Sequence, residues 1–118
     1  AHAAMKDVCR QCHTAPVVDR VFAEAEAVVE ATNEKVLSAK GIMEAFYKDG
    51  ILSGKPYEQP IDFEYFDLWH YYGRTAKHGA FMGGADFVQW HGNYPILQHL
   101  IKIRTEAGEL RKSHAAGR

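Results

Sequence analysis

Apolar and small residues recur along the first half of the chain at alternating spacings of four and three. The series runs through Val18, Phe22, Ala25, Val29, Thr32, Val36, Ala39, Met43 and Phe46. This heptad pattern predicts a long helix over 17–49 with a narrow apolar seam of the coiled-coil type. Pro16 lies at the start of the helix, where proline is tolerated. The glycines and prolines of residues 50–61 then predict a loop.

The second half of the chain predicts two further helices. Asp62 is a suitable N-cap for a helix over 62–82, which the glycine pair 83–84 interrupts. Asp86 is placed to cap a third helix over 86–112. This second half therefore supplies the segments that can pack along the first helix.

The third helix contains an apolar series of its own. Its three-four spacing passes through Phe87, Trp90, Tyr94, Leu97, Ile101 and Arg104. Pro95 lies inside this series and predicts a kink or a local break. Because no alternating strand pattern is present, the chain is predicted to be all-α, as a long antiparallel helical hairpin or a three-helix arrangement. A helix of about thirty residues is ~45 Å long, so its seam needs partners from its own chain or from other chains.

Composition narrows the range of partners. The chain has 118 residues, of which 47% are apolar, which is the size of one domain. Its net charge of −1 gives no electrostatic basis for binding nucleic acid or an anionic membrane surface. No apolar run is long enough to cross a bilayer. A soluble protein without a membrane span is therefore expected.

Two cysteines and a histidine stand in the spacing of a haem attachment site. The segment "MKDVCRQCHTAP" contains Cys9, Cys12 and His13, the attachment signature of a c-type haem. Two thiols at i and i+3 reach the two vinyl groups on one edge of a porphyrin and form thioethers, and the following histidine is placed to bind the iron. The alternatives are half of a zinc site and a redox-active thiol pair. Zinc needs a second pair of ligands, and the chain has no other cysteine.

The haem-attachment signature predicts how the chain is divided into segments and in which cellular compartment the protein lies. Residues 1–16 are predicted to form a haem-attachment segment, and residues 17–118 a helical domain. One covalently attached haem c is therefore expected at the N-terminal end of the fold. Because covalent haem attachment is normally completed outside the cytoplasm, the protein is expected in the periplasm or an equivalent extracytoplasmic compartment.

The second axial ligand of the iron is expected to be one of the other histidines. The chain has seven histidines in all, which is more than one haem requires. In an antiparallel hairpin about the predicted loop, residues whose numbers sum to about 110 lie side by side. On this register His91 falls beside Asp19, one turn from the haem-bearing segment, and His78 falls beside Thr32. His13 and His91 are therefore the predicted iron ligands, with His78 as the next candidate. A ligand from outside the chain, or none, is the remaining alternative.

One block of sequence resembles a known family. The stretch "YFDLWHYYGRTAKHGAFMGGADFVQWHGNYPILQHL" over 65–100, taken with "MKDVCRQCH" and the long helix between them, resembles the C-terminal part of the octahaem hydroxylamine oxidoreductase family. The specificity lies in "HGAFMGG" and "QWHGNY", since the haem signature is common to many cytochromes. The resemblance implies a multihaem enzyme that oxidises hydroxylamine or hydrazine, or reduces nitrogen oxides such as nitrite and nitric oxide. It also implies trimers in which long C-terminal helices pack between subunits.

The resemblance also assigns roles to individual residues. Cys9, Cys12 and His13 match the last haem site of such proteins, an electron-transfer centre with two axial histidines. The catalytic haem would lie outside this chain, so no catalytic residue is assigned. In oxidising members a tyrosine linked to the catalytic haem of a neighbouring subunit matches Phe87, which has no phenol oxygen, and a reductive role is implied. If the alignment is shifted, the phenol would come from one of three other residues: Tyr71, Tyr72 and Tyr94.

Two functions remain open at this stage. The first is the electron-transfer portion of a hydroxylamine oxidoreductase-like enzyme acting on small nitrogen compounds, with further haems from the rest of the protein or from partner chains, and a homotrimer built through the long helices. The alternative is a free-standing monohaem c-type cytochrome acting as an electron carrier or a ligand sensor. The resemblance over nearly the whole chain favours the first. The single attachment signature and the modest length favour the second.

Overall fold

Helices make up nearly all of the protein in a computed structural model that describes residues 1–82 and 84–117. They are α1 His2–Cys9, α2 Ala15–Lys48, α3 Pro60–Phe66, α4 Gly73–Phe81, α5 Ala85–Val88 and α6 Tyr94–Ala116. Two π-helical segments, Asp67–Tyr72 and Gln89–Asn93, join α3 to α4 and α5 to α6. No strand occurs in the described ranges, so the predicted all-α class is confirmed. Gly83, one of the predicted helix-interrupting pair, lies outside them.

Helix α2 uses the heptad seam as its buried face. Its buried residues are Val18, Phe22, Ala25, Thr32, Ala39, Met43 and Phe46. The polar member Thr32 is satisfied within the helix, because its hydroxyl donates to the carbonyl of Val28 at 2.7 Å. The helix begins at Ala15 with Pro16 in its first turn, two residues earlier than the pattern predicts. It ends before Gly50, whose φ of +71° favours glycine.

The rod formed by residues 60–81 runs antiparallel to α2. Near the loop, the hydroxyl of Tyr47 donates to the Asp62 carboxylate at 2.6 Å. At the far end, the rings of Phe22 and Phe81 meet edge to face with their centroids 5.9 Å apart. The 60–81 rod therefore covers most of the length of α2.

The rod formed by residues 85–116 reverses direction again and runs parallel to α2. Arg104 donates to the hydroxyl of Ser38 at 3.3 Å, and Arg111 lies 3.5 Å from the Asp49 carboxylate. The three rods share one core: Ala39, Met43, Phe46, Leu52, Ile61, Leu68, Ala76, Ile96, Leu100, Ile103 and Ala107. The structure is thus a bundle of three long rods.

The apolar series predicted for the third helix lies on the outer face of the 85–116 rod. Its five apolar members are 45–63% exposed: Phe87, Trp90, Tyr94, Leu97 and Ile101. The inner face carries a different set of residues, whose side chains are less bulky: Val88, Gly92, Ile96, Leu100, Ile103 and Ala107. The small residues allow the rod to approach its neighbours closely, which the bulky aromatic series would prevent. We call the five exposed residues the outer stripe.

Two predicted helix caps are displaced by a few residues. Gln59, and not Asp62, caps α3, because Pro60 takes the first helical position and fixes the start. The Asp62 carboxylate then accepts the N–H of Gln59 at 3.1 Å, which completes a capping box. Gly84, and not Asp86, caps α5. Both carboxylates lie in the first turn, where they complement the helix dipole.

Replacing Tyr47 with phenylalanine is expected to lower the free energy of unfolding by about 1–2 kcal/mol, because the buried Asp62 carboxylate loses a charged hydrogen bond. Burial, then the hydrogen bond and the charge of Asp62, raise the pKa of Tyr47 from 10.0 to about 12. The raised pKa means that this contribution is complete below pH 10 and is lost as the pH rises through 12. Urea unfolding at pH 8 and above pH 11 measures both effects. Tyr94→Phe, at an exposed ring, is the control and should change stability by less than about 0.5 kcal/mol.

The bundle is much longer than it is wide. It measures 66 × 25 × 19 Å, and its radius of gyration of 18.4 Å exceeds the ~13 Å of a compact chain of similar length. Within residues 1–82 and 84–117, none of the helices combines the length and the apolar character that a bilayer crossing requires. The elongated shape leaves large lateral faces, including the outer stripe, in contact with solvent.

Candidate haem-attachment site

Cys9, Cys12 and His13 lie on one helical turn at the end of α1. The N–H of Cys12 donates to the Cys9 carbonyl at 3.2 Å, and the N–H of His13 donates to the same carbonyl at 2.9 Å. Residues at i, i+3 and i+4 of a helical turn share one side. The two thiols and the imidazole are therefore presented together, in the arrangement that attachment to one porphyrin edge would require.

An apolar groove of about 210 Å³ lies beside this turn. It is lined by Cys9, His13, Val17, Val18, Val21 and Phe22. Val17 and Val21 are 42% and 41% exposed, so the apolar wall of the groove is open to solvent on one side. Ligand pockets in general have such a lining, mostly apolar with a few polar groups that fix the orientation of the ligand.

Both thiols are accessible for chemistry. Cys9 is half-buried and Cys12 is exposed, and neither forms a disulfide. Since the chain has only these two cysteines, a thioether pair at this turn would use its full complement of thiols.

Helix α1 is held on α2 by surface contacts. It contains no buried residue. Lys6 and Arg10 lie 3.4 and 3.0 Å from the Asp19 carboxylate, and His2 lies 3.1 Å from Glu26. Exposed ion pairs of this kind contribute at most about 1 kcal/mol each. The segment that carries the thiols is therefore the least firmly packed helix of the bundle.

His91 does not lie beside Asp19, contrary to the register predicted from the sequence. That register assumed one direction from the loop onward, but the chain reverses between α4 and α5. After the reversal Gly92 packs on Ala76, where a Cβ at residue 92 would lie 2.7 Å from the Ala76 Cβ. His91 is exposed and is not among the residues that line the groove.

Two other histidines can be placed relative to the groove. His78 is exposed on α4 and does not line the groove. His2 lies against the rings of Phe22 and Phe81, with centroids 5.7 Å apart in both cases, and Phe22 is itself a wall of the groove. The spacing of seven residues between His2 and Cys9 places both on one face of α1. From the sequence alone, this short spacing predicts that His2 is too close to fold back on a haem at Cys9, because no helix is predicted over residues 1–16.

A second ionisable cluster joins α3 to α6 near the loop end of the bundle. The Nδ1 of His99 is in hydrogen-bond contact with the Glu64 carboxylate, and Lys102 lies 3.8 Å from the same group. Burial, then the charges of Glu64 and Glu109, raise the pKa of Glu106, which Lys102 partly offsets. This cluster lies among the α3 and α6 residues and shares none with the groove beside Cys9. Across the described ranges, no three His, Cys, Asp or Glu side chains are placed to hold a metal ion.

The fold and the site together define an all-α chain that presents a Cys-x-x-Cys-His turn over an open apolar groove. Comparison of the chain with models of protein families, with curated proteins and with solved structures finds no significant match.

Proposed function

We propose that this chain is the c-type haem electron-transfer portion of a hydroxylamine oxidoreductase-like multihaem enzyme that acts on small nitrogen compounds such as hydroxylamine, hydrazine, nitrite or nitric oxide. The observation that carries the proposal is the presence of Cys9, Cys12 and His13 on one turn beside an apolar groove. The enzyme class comes from the family resemblance of residues 65–100.

The residues around the turn fit a covalently bound haem. The accessible thiols of Cys9 and Cys12 are available to the vinyl groups, and His13 is available to the iron. Val17 and Val21 offer exposed apolar surface on which a porphyrin would pack. The bound haem supplies one-electron transfer at its iron, while the chain holds the group, orients it and excludes water from one face.

The proposal includes partners and a compartment. Further haem-bearing segments or subunits would receive or supply the electron, and a homotrimer through the long helices would cover exposed faces such as the outer stripe. The elongated bundle supports this arrangement, because exposed aromatic rings in a contiguous row are typical of an interaction surface. An extracytoplasmic location follows from the covalent attachment chemistry.

A reductive direction is part of the proposal. Phe87 is half exposed, with one edge of its ring beside Gly79, so a phenol at this position would reach the surface of the bundle, as a link to a neighbouring subunit requires. Phenylalanine lacks that phenol. Of the alternative tyrosines, Tyr71 and Tyr94 are also exposed, whereas Tyr72 is half-buried and stacks on His99 with ring centroids 5.0 Å apart. Tyr72 is therefore the least suitable substitute.

One observation favours the alternative function, a free-standing monohaem cytochrome that carries electrons or senses a ligand. Neither His78 nor His91 lines the groove that contains His13. The second axial position of the iron would then be available to a ligand from outside the chain, which is the property of a sensor.

The intact denatured mass of the natural polypeptide tests the proposal directly. We expect a protein several times longer than this chain, with many haems that remain attached after denaturation, because thioethers survive unfolding. A mass equal to this chain plus one haem would establish the monohaem alternative. A polypeptide with no attached haem would overturn both functions, since neither can operate without the cofactor.

A further inference from the structure

The pattern Phe-x-x-Trp-His occurs twice, at 66–70 and 87–91, and each copy partly overlaps a π-helical segment, Asp67–Tyr72 or Gln89–Asn93. After each segment a backbone amide, that of Gly73 or of Tyr94, donates to the carbonyl five residues back. π-helical turns are rare in proteins and occur frequently at functional sites. Two such turns on one repeated pattern indicate a shared role, which the haem-attachment turn does not explain.

Each copy holds its imidazole against a phenyl ring. The ring of His70 stacks on Phe66 with centroids 4.6 Å apart and planes inclined by 25°. The ring of His91 lies over Phe87 with centroids 4.9 Å apart and planes inclined by 32°. Within residues 1–82 and 84–117, neither imidazole forms a hydrogen bond. The phenyl ring therefore restrains the plane of each imidazole while the ring nitrogens stay free to bind.

Each copy also carries an exposed indole at the residue before its histidine, which contacts the imidazole only in the first copy. Trp69 is 39% exposed and lies edge-on to His70 with centroids 5.0 Å apart. Trp90 is 63% exposed and contacts Tyr94, with centroids 5.8 Å apart. Since an indole gains little from facing water, these surfaces fit a broad apolar ligand better than they fit solvent.

We propose that His70 and His91 are axial ligands for iron porphyrins carried by other polypeptide segments, with Trp69 and Trp90 packing against the porphyrins. This inference rests on the proposed function, in which further haems come from outside this chain. An imidazole nitrogen would form a coordinate bond to the iron in place of water, with no change in oxidation state. A histidine whose ring is oriented by a neighbour is well prepared for such binding. A bare metal ion would gain nothing from the indole surfaces.

In this proposal His91 binds a haem carried by another polypeptide segment, whereas the sequence predicts that it binds the haem attached at Cys9 and Cys12. The groove beside Cys9 does not include His91 or His70. Both belong to rods whose outer surfaces are open to solvent, as the exposure of Trp69 and Trp90 shows. They are accordingly placed to serve a haem that approaches the bundle from its side.

Titration of the full chain with a ferric haem peptide that has one vacant axial position tests the inference. We expect a shift of the Soret band to the low-spin position, read as a difference spectrum against the chain alone. The double variant His70→Ala/His91→Ala should bind the peptide at least about tenfold more weakly, which corresponds to ~1.4 kcal/mol. His78→Ala is the matched control, since His78 is exposed and no ring among residues 1–82 and 84–117 stacks on it, and it should bind as the wild type does. Equal binding by the double variant, or an equal loss in the control, would overturn the inference.

Two further measurements separate the possible explanations. Trp69→Ala and Trp90→Ala should each weaken binding of the haem peptide without affecting binding of Ni²⁺ alone. Binding of Ni²⁺ without binding of the haem peptide would contradict the inference. The single variants His70→Gln and His91→Gln, checked by circular dichroism, remove the ligand where the double variant fails to fold. The proposed function and this inference can fail independently. A chain that carries no covalent haem but still binds the haem peptide through His70 and His91 would refute the proposed function and support this inference.

Discussion

Replacing both Cys9 and Cys12 with alanine is expected to abolish covalent haem attachment while the three rods stay folded. Both thioethers depend on these side chains, and the chain has no other cysteine to replace them. Neither residue belongs to the shared core, and α1 as a whole contains no buried residue. Intact mass after denaturation and far-ultraviolet circular dichroism measure the two effects on the same sample.

The control for this experiment is Gln11→Ala, between the two cysteines. Gln11 is exposed, so its replacement should leave the haem stoichiometry and the helix content unchanged. Each single cysteine variant should retain one thioether and therefore a covalently bound haem. Haem that remained covalently attached to the double variant would refute the assignment of this turn. A collapse of helix content would show that α1 contributes to the bundle far more than its surface contacts indicate.

Replacing Gly92 with alanine should produce the largest loss of stability among small substitutions in the 85–116 rod. A Cβ at this position would lie 2.7 Å from the Cβ and 2.9 Å from the Cα of Ala76. Because one of these atoms belongs to the backbone, no flexible side chain can move to relieve the contact. We expect the free energy of unfolding to fall by about 2–3 kcal/mol, as for other overpacked cores, when measured by urea denaturation.

The matched control variant is expected to raise the free energy of unfolding and not to lower it. Gly108 lies in the same rod, and a Cβ there would meet no atom within 4 Å. Gly108→Ala should therefore stabilise the protein by about 0.5–1 kcal/mol through its helix propensity. Ala76→Gly should partly rescue Gly92→Ala, because it removes the opposing methyl group. If both glycine variants were stabilising, the close approach of the two rods would not exist in solution.

The long helix was predictable because its signal is local and repeated. Each member of the α2 series lies one turn from the next, so a heptad seam identifies both the helix and its buried face. The Cys-x-x-Cys-His motif is recognisable for a similar reason, since all of its residues lie within five positions, and the haem that it indicates stays a prediction. Neither prediction needed any knowledge of how distant segments pack.

The placement of the third rod was not predictable in this way. Its sequence carries two stripes at helical spacing, and periodicity identified only the bulkier one, from Phe87 to Ile101. The bundle buries the other stripe, because Gly92 permits the contact with Ala76 that larger residues would block. Which of the two stripes is buried depends on the size of the side chains where two rods cross. The apolar character of the residues alone does not reveal this. His91 was misplaced for a different reason, because the predicted register assumed one direction from the loop onward, whereas the 85–116 rod runs parallel to α2.

Helix α1 was missed because it has no buried residue. It contacts α2 through charge pairs, such as that of Lys6 with Asp19, and through the ring of His2 on Phe22, so neither a buried stripe nor a heptad marks it in the sequence. Hydrophobic periodicity detects helices that bury apolar side chains, and it gives no signal for one that is held by surface contacts.

The charge pairs between α1 and α2 make the docking of α1, the arm that carries Cys9 and Cys12, responsive to ionic strength. At physiological salt the Debye length is about 8 Å, so the exposed pairs of α1 are partly screened, whereas the apolar core of the rods is not. Added salt would loosen the arm well before it affected the bundle.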